Sequence, residues 1–230
     1  MATLETGGTL RGGKDAWLLV KFKVDDPVVQ EVFAGEVVPF GMVHANHGSR
    51  ASYLMLTPIR VVCANTLGMA HEGRQVDQYV KVVHRGGARI RLVEAAERMF
   101  SGIVERYKVI ALQYSAMKAR ILTVDEFTAS VLDTLAPLPE ASDVASSRGF
   151  TAAMNRAETR RTTLRLHWEG GRGHAGDHSA WEAYNGAIET LDHEEGVFTV
   201  RGSRVESMLM GRLQDQKQKV ADAIYALCRN

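Results

Sequence analysis

The sequence predicts an α+β protein. The expected architecture is an antiparallel sheet of about four strands, in a β-β-β-α-like order, packed by a long helix and followed by an all-helical C-terminal part. Three observations carry this. Apolar residues alternate with period two in Trp17–Val24 and return in extended runs over 36–57. From Leu92 to Met117 they recur at three- and four-residue spacing. Beyond that, Thr123…Glu126, Ser179…Glu182 and Ser203…Glu206 have the spacing of capping boxes, each opening a run with helical periodicity. The expected units are an α+β core over 1–140 and a helical region over 141–230, with PLPEASDVASSRG at 137–149 as the linker-like stretch.

In chain order, residues 1–15 are glycine-rich and read as loose chain or an edge. Trp17–Val24 puts Val20, Phe22 and Val24 on one face and Lys21 and Lys23 on the other, which is a half-buried strand with a basic outer side. Glu36–Ala45 is a second strand, bent or bulged by Pro39 and Gly41, and Ala51–Thr57 returns as its hairpin partner across His44-Ala-Asn-His47-Gly-Ser-Arg50. Arg60–His71 suits a short helix weakened by Gly68, and Val76–His84 supplies a fourth strand. The long helix follows, then the capped helices, with apolar stripes through Phe150–Leu166, Trp181–Leu191 and Val205–Leu227.

At 230 residues, with 45% hydrophobic and 24% charged residues, the chain has the composition of an ordinary globular protein. Its net charge of +1 supplies no global field for nucleic acid, so any basic signal must be local. Cys63 and Cys228 lack CxxC or CxxH neighbours, which excludes a disulfide framework and a cysteine zinc site. No apolar run of about 18 residues and no apolar signal core occur, so the expected location is the cytoplasm and no membrane contact is expected.

The run RVVCANTLGMA (60–70), preceded by HANHGSRASYLMLTP and followed by YVKVVHR, resembles the core of the phage/plasmid-like protein family, whose domain carries no assigned function. SAWEAYNGAIETLDHEE (179–195) resembles a second block of that family, in the same order. In longer relatives the segment resembling LETGGTLRGGKDAWLLVKF lies in the interior, so the resemblance implies a short form or a trimmed chain. The expected strand and helix order is also similar to the core of single-strand annealing proteins. That similarity implies single-stranded DNA as partner, a ring or filament of identical subunits, no cofactor, no metal and no catalytic residue.

The candidate phosphate contacts are Lys21, Lys23, Arg50, Arg60, Lys81, Arg85, Arg89 and Arg91. No acid lies between Asp77 and Glu94, and Gly86-Gly87 sits at a strand end before a helix, an arrangement that adds free N–H groups and a dipole to the cations. For Arg60, within an acid-free window from Glu36 to Glu72, anchoring of carbonyls and anion contact are both open. Arg156, Arg160, Arg161 and Arg165 form a second cluster that reads as a solvated helix face. Two further function classes remain: a metal-dependent nuclease using His44, His47 and His84, and a non-catalytic interaction protein of a mobile element. His174 and His178 stand four apart, but Gly173 and Gly176 place them in a loop.

Overall fold

Period-two alternation builds a sheet in the first part of the chain, and side chains on both of its faces are buried, Leu54 and Leu56 on one and Met42 and Met55 on the other. The structure, a computed structural model, describes residues 2–10, 12–46, 51–60, 65–66, 79–143, 146–172, 174–198, 207–208 and 211–229. It is α+β, and among the described residues no helix is long and apolar enough to cross a membrane. Two compact units are present, 1–64 with 71–113 and 65–70 with 114–230. The change therefore falls inside a helix at 113/114, a different partition from 1–140 and 141–230.

In the first unit, strands β1 (Ala2–Leu10), β2 (Asp15–Phe22), β4 (Phe40–Asn46), β5 (Ser52–Leu56) and β8 (Tyr79–Val82) form a five-stranded antiparallel sheet in the order β1-β2-β4-β5-β8. The glycine-rich N-terminus is thus an edge strand, turning into β2 through Gly12 and Gly13 at φ of 65° and 85°. Helix α1 (Pro27–Phe33) starts where Asp26 accepts from the Val28 and Val29 N–H groups, with Pro27 preset for a first turn. Pro39 separates β4 from the two-residue β3 (Val37–Val38), which pairs with β6 (Ile59–Arg60).

Two expectations for this part are corrected. Arg60 lies in β6 and Asn65–Thr66 form the short strand β7, so these residues are extended where a helix over 60–71 was expected. The β-branched Ile59 and Thr66 favour a strand, and Arg60 pairs with Val37 across a ladder that a helix would forgo. The long helix is also two helices, α2 (Ala88–Ser101) and α3 (Ile103–Ala119), because Gly102 gives α2 its C-cap. Arg106 covers carbonyls exposed by that break, donating to Met99 at 2.5 Å and Arg98 at 3.4 Å.

Helix α2 covers one sheet face. Phe22 meets Phe100 at 5.3 Å, and a Cβ on Gly41 would come 2.6 Å from the Phe22 ring, so this crossing requires glycine. Leu54, Leu56, Val82, Ala95 and Met99 complete that core. Tyr107 is fully buried, donates to the Phe40 carbonyl at 2.7 Å and meets Phe33 edge-on at 6.0 Å.

Among the described residues the second unit is mainly helical, with the short strand β7 and an isolated bridge between Ile121 and Ser179. The Thr123–Glu126 capping box opens α4 (Val124–Phe127), which passes through a π turn at Thr128–Leu132 into α5 (Asp133–Leu135) and stops before Pro137. Helices α6 (Ser147–Gly170), α7 (Ala180–His193) and α8 (Arg212–Leu227) follow. Helix α7 is buried from Ala180 to Asp192 and carries three carboxylates, each with a cation or histidine against it. At its start only half of the expected box forms. Ser179 accepts from the Glu182 N–H, whereas Glu182 turns to the N–H groups of Ala175, Gly176 and His178 and ties down the Gly/His loop. The Ser203–Glu206 box lies outside the described residues.

Candidate nucleic-acid interface

Strand β8 is the last strand of the described sheet, and the chain leaves it through Val83–Gly87 to start α2. Gly87 takes φ 75°, which glycine adopts without strain, and α2 has no side-chain N-cap. Arg91 ties the turn from within the helix, donating to the carbonyls of Gly86 at 2.5 Å, Arg85 at 3.0 Å and Val83 at 3.1 Å. Between β8 and α2 lies an open concavity of about 590 Å³ whose charged walls are Lys81, Arg85, Arg91 and Arg98 against the single carboxylate Glu94. Such a surface attracts anions and holds them beside a helix N-terminus.

Of the residues expected from sequence, the structure brings Lys81, Arg85 and Arg91 together. Arg91 spends its donors on the turn, so it acts first as an anchor. Arg98 is the residue sequence reasoning missed; it lies seven positions after Arg91, two turns along the same helix face. Lys21 and Lys23 are elsewhere. Lys21 lies three strand spacings from β8, roughly 14 Å, and Lys23 pairs with Asp25 at 3.2 Å. Both line a different, largely apolar concavity of about 470 Å³ with Phe22, Val29 and Phe33. Arg50 lies outside the described residues. Arg60 and Arg89 are placed by their backbones alone, in β6 and α2.

The sheet register adds a feature the sequence order conceals. Gly8, Trp17, His44, Tyr53 and Lys81 are successive cross-strand partners, so they form one row on the face opposite α2. Trp17 and Tyr53 are half-buried, His44 stacks on Tyr53 at 5.9 Å, and the Trp17 ring lies so close over Gly8 that a Cβ there would sit 3.1 Å from it. The row runs from the Trp17 indole at one end to Lys81 on β8 at the other, on the opposite face of the sheet from α2.

Of the histidines that suggested a metal-dependent nuclease, the two that are described, His44 and His84, lie on different faces of the sheet. His44 is buried on the face with the row, its Nε2 3.2 Å from Asp15 Oδ1. His84 reaches Ser52, whose partner Val82 belongs to the face toward α2, at 2.8 Å between Oγ and Nε2. The two rings therefore serve opposite faces of the sheet, and His47 lies outside the described residues. Among the described residues no group of three or more His, Cys, Asp or Glu side chains is placed to hold a metal ion. In the helical unit Arg161 is structural, buried and bound to Asp133 at 2.7 Å and the Ala136 carbonyl at 3.1 Å.

The sequence pattern of the family described as "Domain of unknown function (DUF932)" matches residues 1–224 of the chain. No curated protein and no solved structure matches it.

Proposed function

The chain belongs to that family, and from this premise we propose that it binds single-stranded DNA along the β8–α2 groove and pairs complementary strands as an oligomer. The observation that carries the proposal is the groove itself: four cations to one carboxylate on a chain whose net charge is +1. A charge excess that local suits a phosphate backbone, and a row of aromatic rings lies on the other face of the same sheet. Unpaired bases offer π faces that such rings accept regardless of sequence, which suits a strand-pairing protein. The similarity to single-strand annealing proteins supports the setting, recombination in a phage or plasmid. Identical subunits in a ring or filament would join short basic grooves into one track.

Anisotropy of a labelled oligothymidylate, measured across salt, tests this. The parent should lose affinity steeply with salt. Lys81→Gln/Arg85→Gln should weaken binding to all sequences and flatten the slope by about 0.7 for each phosphate no longer gripped. Complementary strands should anneal faster with the protein while keeping their lengths, and light scattering should show assemblies larger than a dimer. Salt-independent binding, or a groove variant that binds as the parent does, would overturn the proposal.

A further inference from the structure

Lys21 and Lys23, which stand apart from the groove, sit on the rim of the second concavity of the first unit, about 470 Å³ in volume. Its apolar wall follows from the local sequence. Lys21, Phe22, Lys23 and Val24 alternate exposed and buried, so the lysines turn outward together while Phe22 and Val24 turn in. Val29 and Phe33 lie four residues apart on the buried face of α1, and Val37 of β3 adds a fifth buried side chain. Aromatic contacts hold this wall in place: Phe22 meets Phe100 at 5.3 Å, and Phe33 meets Tyr107 edge-on at 6.0 Å. Ala34 and Gly35, at φ of 39° and 77°, make the turn from α1 toward β3 and form part of the rim.

The rim supplies charge of one sign. Among the described residues no carboxylate lines the concavity or pairs with Lys21. Lys23 pairs with Asp25 at 3.2 Å, but both side chains are largely exposed, at 71% and 64%. Such a pair contributes little and exchanges readily for another anion. A preformed apolar wall, a volume of this size and a few polar groups at one edge are the features of a small-ligand site. A nucleotide base suits it poorly, because the wall offers its ring nitrogens and carbonyls no partners, and burying them unpaired is costly. A hydrocarbon meets no such cost. We propose that the concavity binds an aliphatic carboxylate, its chain against Phe22, Val29, Phe33 and Val37 and its headgroup between Lys21 and Lys23. This site uses none of the groove residues and does not depend on the single-stranded DNA reading.

Decanoate, titrated calorimetrically into the full chain below its micelle concentration, is the probe. Octanoate should bind up to about fifteenfold more weakly, the effect of losing two buried methylenes. Decanol keeps the chain without the charge and should bind about tenfold more weakly. Lys21→Gln/Lys23→Gln changes two exposed side chains, so it should melt with the parent and bind decanoate no better than decanol. The same variant should bind oligothymidylate as the parent does, and Lys81→Gln/Arg85→Gln should keep the affinity for decanoate, so the two sites stand or fall separately. Decyltrimethylammonium bound as tightly as decanoate would mean adsorption to apolar surface and overturn the site. A decanoate affinity that ignores chain length, or that survives unchanged in the lysine variant, would overturn it too. Release of bound decanoate by oligothymidylate would give the concavity to the strand and overturn the carboxylate as its ligand.

Discussion

Lys217 and Asp192 make the sharpest test of how the helical unit is held together. Lys217 Nζ lies 2.5 Å from Asp192 Oδ1, both side chains are wholly buried, and Nζ also donates to the Met208 carbonyl at 3.3 Å. The pair joins α8 to the C-terminal turn of α7, the helix around which this unit packs. Lys217→Met keeps much of the stem's packing while removing the ammonium, so it leaves a buried carboxylate without its cation. Breaking a buried pair from one side costs about 3–5 kcal/mol. That is a large fraction of the 5–15 kcal/mol or so that holds a typical domain together. At roughly 2–4 °C per kcal/mol for a chain of this size, the melting temperature should fall by about 6–20 °C. Lys217→Met/Asp192→Leu removes both charges and should recover most of the loss, since an apolar replacement of a buried pair is often neutral or better. Urea unfolding of the parent, both single variants and the double variant closes the cycle. A single variant that loses less than about 1 kcal/mol, the range of exposed pairs, would refute the reasoning, because water would then reach the site.

Four further outcomes follow from the geometry. Tyr107→Phe should cost only about 0.5–1.5 kcal/mol in thermal unfolding, because the Thr57 N–H at 2.8 Å still satisfies the Phe40 carbonyl. Burial pushes the Asp26 carboxyl up, but Lys108 and the Val29 and Val28 N–H groups outweigh it and hold the group below its ordinary value of 3.8. Its contribution is complete above that value and lost as pH falls through the lower folded one, so Asp26→Asn should flatten the acid limb of stability followed by tryptophan fluorescence. Trp17→Leu should weaken oligothymidylate binding by tenfold or so at an unchanged salt slope, since a stacked base contributes about 1–3 kcal/mol; unchanged affinity would exclude the aromatic row. Arg91→Ala should speed amide exchange across Val83–Gly87 and flatten the salt slope less than Arg85→Ala does, because three of its donors serve the turn.

Four strands of the sheet were legible because period-two alternation and the break at Pro39 act within a few residues of where they stand. Thr123 and Ser179 were legible as caps for the same reason. Glycine-rich Ala2–Leu10, read as loose chain or an edge, becomes a strand through its pairing with β2. What sequence reasoning missed depends on partners distant in the chain. Gly102 interrupts a stripe that reads as one continuous helix, and only the hydrogen bonds of Arg106 to Met99 and Arg98 show how the break is stabilised. Ile59 and Arg60 become a strand because Val37, more than twenty residues earlier, offers them a ladder. Trp17, His44, Tyr53 and Lys81 are neighbours only through register, so no window along the chain contains the row. The groove was partly visible as an acid-free run, yet charge runs do not show which arginine is spent on carbonyls or that Arg98 comes round the helix to join.

That division of labour bears on how many subunits a strand must engage. With Arg91 occupied by the turn, the groove offers Lys81, Arg85 and Arg98 to phosphate, and Glu94 opposes them. Three gripped phosphates give a slope of about −2.1, so a fourfold rise in salt should weaken one groove only about eighteenfold. Screening confines each charge to about 8–10 Å at ordinary ionic strength, and a net charge of +1 adds no long-range attraction. A single groove is therefore a weak site. Joined subunits convert each further groove's binding into an intramolecular event, and the slope then grows by about two for every groove engaged. A slope near −2 on a long oligonucleotide would mean that one groove binds alone and that the oligomer plays no part in holding the strand. A slope several times steeper on long strands, returning to about −2 on strands that reach one groove, is the pattern a ring or filament produces.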